Sequence, residues 1–352
     1  MIEIKKEGVL LEKTDLGFEN EGVLNPAVIR EENNVHLFYR AIRKGNYSTI
    51  GYCRLEGPLT VKERYNTPIF IPHLEYESQG VEDPRIVMLD GLYYLTYTAH
   101  DGNNALGALA VSTDLKSFER KGLIAPQITS DEFKRLAECS NKVNKKYFQY
   151  LHHFKPDQKV FLRDENVIFF PRRINGDLYF LHHIRPGIQV VSVNDLKELT
   201  KEFWENYFIH LHENIVLEPV HDGHESSYIG VGCPPIETKH GWLLIYHGVH
   251  DTPEGYVYSA CAALLDLKNP QKEIARLPYA LFEPEYAHLS NGIVDKVVFP
   301  TGTALFGDTL YIYYGTADKH ISCVSLSLSA LLSELLLYRI KTKSHRAKVA
   351  AV

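Results

Sequence analysis

Five stretches of this chain repeat one pattern, and that repetition limits the fold more than any other feature. The stretches are NPAVIREENNVHLFYRAI (25–42), EDPRIVMLDGLYYLTYTAH (82–100), NVIFFPRRINGDLYFLHHI (166–184), CPPIETKHGWLLIYHGV (233–249) and VFPTGTALFGDTLYIYYGTAD (298–318). Each has a small or polar residue and a proline, a short apolar strand, and a turn such as LDG, NG, KHG or FGD. A second strand rich in Tyr, Leu and Ile follows. Two such strands joined by a Gly/Asn/Asp turn are a hairpin. The prolines, Pro26, Pro84, Pro171, Pro235 and Pro300, are separated by 58, 87, 64 and 65 residues. A unit of about 60 residues holds roughly four strands, and radial repetition of four-stranded sheets is one way to protect sheet edges. The expected fold is therefore all-β, a five-bladed β-propeller. A double sandwich would not explain five copies of one motif.

The long second interval contains SDEFKRLAECSNKVNKKYFQYLHHFKPDQK, charged and compatible with helix. It reads as a partly helical insertion, about 128–160, near the mouth of the site. The propeller would occupy 1–326 as a single domain. The tail, 327–352, begins as an apolar helix that could pack beneath the propeller or against another subunit of a homo-oligomer. A net charge of −6 without a Lys/Arg stripe argues against nucleic acid as a partner. No run of about 18 apolar residues suggests a membrane span. The first residues, MIEIKKEGVLLEKTD, lack the apolar run of a secretory signal. Five scattered cysteines (53, 139, 233, 261 and 323) form no CxxC pair, which fits a reducing, cytoplasmic setting.

In a propeller the inner strands converge on a central channel, so corresponding ends of the repeats should meet. Asn25, Glu82, Asp83, Arg85, Glu165 and Asn166 flank the prolines or open the repeats, and Arg40, Arg185, His247 and Asp318 lie near the ends of second strands. Carboxylates and guanidinium groups hydrogen-bond sugar hydroxyls, and aromatic rings cover the apolar sugar face. A small carbohydrate is the expected ligand.

The motifs VEDPRI, FFPRRINGDLYFLHHIRPGI, IGVGCPPIETKHGWLLIYHGV and VVFPTGTALFGDTLYIYYGTAD resemble, in order, the blade motifs of glycoside hydrolase family 130. That family comprises β-mannoside phosphorylases and β-1,2-mannosidases on five-bladed propellers. The resemblance implies that Asp83 is the proton donor, acting in the phosphorylases through the mannose 3-hydroxyl. It implies that Asn25, Arg40 and Asp318 hold the mannose at the cleaved end, and that His247 faces substrate or water. Glu82 and Arg85 would orient Asp83 and bind sugar hydroxyls.

One departure bears on the reaction. The phosphorylases resembled carry an Arg-Asn pair before their FPEKI motif and a Lys before the Ile-Gly preceding PPI. Alignment puts Glu165 in place of that Arg, beside a retained Asn166, and Tyr228 in place of that Lys. A carboxylate repels phosphate by several kcal/mol at short range, yet it suits activation of water. The expectation is thus an exo-acting, inverting β-mannosidase that releases mannose from β-1,2-linked mannosides or manno-oligosaccharides, with Asp83 as acid. Glu225 is the first candidate for base and Glu165 the second, across a gap of roughly 6.5–9.5 Å. Glu283 and Glu285 are weaker candidates. A β-mannoside phosphorylase using Arg172, Arg173 or Arg185 is the alternative, and a non-catalytic sugar-binding propeller is a third reading. No cofactor is expected. His221, His224 and Glu225 lack the HExxH spacing of a helical zinc site, so no metal is expected either.

Overall fold

The computed structural model describes residues 2–140, 142–151, 160–220, 222–284, 297–316 and 319–340. After an N-terminal strand, β1 (Lys5–Glu12), the chain runs through successive antiparallel meanders. The first comprises β2 (Gly22–Glu31), β3 (Asn34–Arg43), β4 (Tyr47–Glu56) and β5 (Thr60–Arg64). The second comprises β6 (Gly80–Leu89), β7 (Leu92–His100), β8 (Ala105–Ser112) and β9 (Glu119–Leu123). One parallel bridge, Ser48 to Gly80, joins these two into a continuous sheet. The third holds β10 (Ile168–Phe169), β11 (Leu178–His182), β12 (Ile188–Val193) and β13 (Ile215–Leu217). The fourth holds β14 (Tyr228–Val231) and β15 (Ile236–Thr238), both on β16 (Gly241–Thr252), then β17 (Gly255–Leu265) and β18 (Glu273–Arg276). The last pairs β19 (Val298–Phe306), β20 (Thr309–Thr316) and β21 (His320–Ser327), and β1 completes it as the fourth strand.

The turn chemistry accounts for the hairpins. Leu89 pairs with Leu92 across Asp90-Gly91, and Ile174 bridges Asp177 across Asn175-Gly176. All four turn residues have positive φ, from 50° to 98°, the conformation of a two-residue type I′ turn. Between the sheets, apolar side chains form five clusters among the described residues, each filling the gap between two successive meanders. The cluster of Val23, Leu37, Tyr39, Tyr313 and Ile321 joins the last meander to the first, so the order of sheets closes on itself. The first strands face inward together, β2 against β6 and β19, and β6 against β10.

The helices divide between expectation and surprise. Over its described residues the insertion is partly helical as expected, with α1 (Ser130–Glu138) and α2 (Lys146–Gln149). Thr129 caps α1: its hydroxyl accepts from the Glu132 amide, and Glu132 accepts in return from the Thr129 amide. α3 (Lys201–Ile209), between β12 and β13, has no counterpart in the sequence reading; it buries Trp204, Tyr207 and Phe208 and packs on α1. The tail helix, α4 (Leu328–Leu337), sends Leu331, Leu332 and Leu335 into the protein's own core. No helix of the described residues is long and apolar enough to cross a membrane.

Candidate active site

Two of the repeat prolines, Pro26 and Pro84, sit in bulges. The β2–β3 register slips between Leu24 and Ala27, and the β6–β7 register slips between Glu82 and Arg85. The slips leave Asn25-Pro26 and Asp83-Pro84 outside the ladders. Asn25 and Asp83 take left-handed φ values of 50° and 47°, a region that Asn and Asp tolerate better than most residues. A bulge re-aims a side chain, and here the two meet: Asn25 Nδ2 donates to Asp83 Oδ1 at 2.8 Å. A Cβ at Gly315 would collide with the Asn25 side-chain oxygen, so only glycine leaves room for this contact.

Asn25, Asp83, Arg40, Glu165, Asn166, Arg185, Tyr228 and His247 all line one cavity of about 250 Å³. Eight of the residues singled out in the sequence therefore converge. Arg40 ties the acidic side together: Nη2 donates to Glu82 Oε1 at 2.8 Å, Nη1 lies 3.5 Å from Asp83 Oδ1, and Nε donates to Ser48 at 2.9 Å. Glu82 does not line the cavity. Arg85 is buried beneath it, giving Nη1 to the carbonyls of Asp83 and Pro84 and Nε to that of Gly232. It therefore holds the bulge backbone, and the expectation that Glu82 and Arg85 bind sugar hydroxyls finds neither of them in the cavity wall.

Burial pushes the Glu82 carboxyl up to about 7, against the pull of Arg40, and Asp83 adds to the rise. A raised carboxyl binds its proton more tightly in the native than in the unfolded chain, so stability falls as pH rises from 4.5 to about 7. Glu82→Gln is expected to remove this part of the slope in denaturant unfolding across that range. Equal slopes in the two proteins would assign it to another group.

The opposite wall was only partly legible. Arg163 Nη1 lies 3.4 Å from Glu165 Oε1, so a cation absent from the expected position arrives from two residues earlier. The Arg185 guanidinium sits 4.2 Å from the centre of the Tyr228 ring. Tyr228 and Tyr258 share a hydrogen bond through their hydroxyls. His183 stacks on Tyr228 and stands edge-on to His247. Burial, with Arg185 adding to it, holds the His183 imidazole down to about 3; burial, aided by His183, also depresses His247 strongly. Both rings are thus neutral near pH 7. His183 Nε2, His247 Nδ1 and Asn166 Oδ1 are buried without a protein hydrogen-bond partner, the state of groups that await a ligand or water. The insertion supplies Ser130, Tyr147 and Tyr150, and Tyr150 donates to the Ser227 carbonyl at 2.6 Å. Arg163, His183, Tyr147, Tyr150, Tyr258 and Phe299 went unnoticed in the sequence. Only His183 and Phe299 carried a signal there, since they stand within repeats.

Glu225 is not in the cavity wall. It is 1% exposed, accepts from the Tyr246 hydroxyl at 3.0 Å and lies 3.5 Å from Arg276 Nη1. Its neighbours His224 and Cys261 bring three donor atoms within 4.8 Å of one another, but Arg276 already supplies the positive charge there. Arg172 and Arg173 pair with Glu237 and Asp90, away from the cavity. Glu283 does not line the cavity either. His221, Glu285 and Asp318 lie outside the described residues.

Comparison with known proteins adds the following. A model of glycoside hydrolase family 130, described as beta-1,4-mannooligosaccharide phosphorylase, matches residues 12–335. A 1,2-beta-oligomannan phosphorylase of Thermoanaerobacter sp. (strain X514) is 32% identical over 340 residues, covering 93% of this chain and 98% of that protein. A beta-1,2-mannobiose phosphorylase of the same organism is 34% identical over 86% of this chain and 89% of its own length. Among solved structures, the beta-1,2-mannobiose phosphorylase of Listeria innocua superposes with a TM-score of 0.70 at 22% identity, covering 96% of this chain and all of that one. A structure reported among glycoside hydrolases that target beta-1,2 mannosidic linkages in Candida mannan also reaches 0.70, at 21% identity over 92% and 93% of the two chains.

Proposed function

The chain belongs to glycoside hydrolase family 130, and from that membership we propose that it cleaves β-1,2-linked mannosides by phosphorolysis, on a five-bladed propeller. The closed order of five meanders supports the architecture. Hydrolysis, the leading reading of the sequence alone, is less well supported than its alternative. The observation that carries phosphorolysis is that, besides Arg40, two further cations line the cavity on the wall of Glu165 and Tyr228, Arg163 and Arg185. Arg163 offsets the Glu165 carboxylate that argued against a phosphate pocket, and Arg185 leaves a surplus positive charge on that wall.

In this reading Asn25 and Arg40 hold the terminal mannose. Phosphate sits between Arg163, Arg185 and Asn166, on the face of the sugar away from the leaving group. Its oxygen forms a bond to the anomeric carbon as the glycosidic C–O bond breaks. The departing oxygen receives a proton that originates on Asp83, relayed by the sugar's 3-hydroxyl. A β-mannoside then gives α-mannose 1-phosphate and a chain one sugar shorter, with inversion. A phosphorylated product stays where it is made, which suits the cytoplasmic setting expected from the scattered thiols.

Product analysis on β-1,2-mannobiose with and without inorganic phosphate tests the proposal. Mannose 1-phosphate should form only with phosphate. Free mannose released equally in both reactions would establish hydrolysis instead.

A further inference from the structure

We propose that Asp164 is a positioning residue that sets the spacing between the two cation-bearing segments of the cavity, 163–166 and 183–185; the role rests on the enzymatic reading above. The chemistry of the neighbourhood points to it. Successive side chains of an extended segment face opposite ways: Arg163 and Glu165 line the cavity while Asp164 turns away, fully buried. Likewise His183 lines the cavity and His182 turns away, also fully buried. The two buried side chains meet back to back. His182 Nδ1 lies 2.7 Å from Asp164 Oδ2, and the backbone amide of His183 donates to Asp164 Oδ1 at 3.2 Å. One carboxylate therefore clamps the chain on both sides of the His182–His183 peptide.

The clamp is anchored at both ends. The Asp164 amide donates to the Ala105 carbonyl, and its own carbonyl accepts from Gly107, fixing the segment to β8. On the far side His182 Nε2 meets the Tyr207 hydroxyl at 2.7 Å, and Tyr207 donates onward to the Val190 carbonyl at 3.0 Å. Burying a carboxylate is costly unless it is paired and hydrogen-bonded, and an apolar residue of similar size often serves stability as well. A carboxyl group hydrogen-bonded on both sides here fixes a defined geometry, and the geometry it defines is that of Arg163 relative to Arg185.

Asp164→Asn keeps size and an acceptor for one partner but loses the carboxylate. Misplacing a binding group by about 1 Å can cost about 100-fold. The KM for phosphate is therefore expected to rise at least about 10-fold in D164N, with the KM for β-1,2-mannobiose changing less than about threefold. Should D164N fail to fold, Tyr207→Phe, which removes only the distal hydroxyl, is expected to raise the phosphate KM about threefold. A lowered Tm with both KM values unchanged in either folded variant would overturn the positioning role and leave a structural one. If the wild type releases free mannose irrespective of phosphate, phosphorolysis fails as a reading, and the positioning role is then read from that hydrolysis. The role requires kcat to fall at least about 10-fold at near-constant KM, and an unchanged kcat would refute it.

Discussion

Replacing Asp83 by Asn is expected to lower kcat by about 10³-fold, the middle of the range for losing a positioned acid, while mannoside binding persists. The local structure makes the substitution informative. Asp83 occupies a left-handed bulge position, and Asn adopts that conformation as readily as Asp, so the backbone should not move. The Arg85 bonds that hold the bulge run to the carbonyls of Asp83 and Pro84, which the substitution leaves in place. Asn25 Nδ2 can still donate to a side-chain oxygen at position 83. What is lost is the ability to release a proton, together with the negative charge that faces Arg40 Nη1 at 3.5 Å. Steady-state rates on β-1,2-mannobiose with phosphate, paired with calorimetric binding of the same sugar, separate chemistry from recognition. A variant turning over within about tenfold of wild type would remove Asp83 from the proton path.

How far the sequence went is clearest from particular residues. The repeat grammar located the hairpins because Asp90-Gly91 and Asn175-Gly176 are turn sequences whose conformation follows from their chemistry. Pro26 and Pro84 located Asn25 and Asp83 because a proline lacks the amide a ladder needs, and here the strand bulges beside each of them. Helix α3 was missed because KEFWENYFI has aromatic residues where the rest of the chain uses them for strands, and its cap, Thr200, is a single residue. Glu225 drew attention because its loop aligns with one that holds a lysine in the relatives resembled. Alignment conveys position along the chain but not the direction of a side chain, and Glu225 turns inward to Tyr246 and Arg276. Arg163 was overlooked for the complementary reason. Position 165 is the one that aligns with the arginine of the phosphorylases, and only folding shows that a guanidinium two residues earlier reaches the same wall.

Glu165→Gln is the variant on which the two chemistries part most widely. If phosphate is the nucleophile, the Glu165 carboxylate is a charge neighbour of the phosphate and not a base. Removing it frees Arg163, 3.4 Å away, to face phosphate alone. The phosphate KM is then expected to fall by about 10-fold, since a unit charge removed at roughly 5 Å and an intermediate dielectric is worth a few kcal/mol before solvent screening. Turnover at saturating phosphate should stay within about threefold. If water is the nucleophile, the same substitution removes its base, and kcat should collapse by about 10²–10⁴-fold. Glu225→Gln serves as the control, because Glu225 lies behind the wall in contact with Arg276 and Tyr246. It should lower stability yet leave the phosphate KM unchanged if phosphate is the nucleophile, and kcat unchanged if water is. Phosphate titrations of initial rate for the three proteins decide the matter. Loss of turnover in E165Q alone would return the enzyme to the hydrolases, with Glu165 as its base, whereas loss in E225Q alone would restore Glu225 to that role.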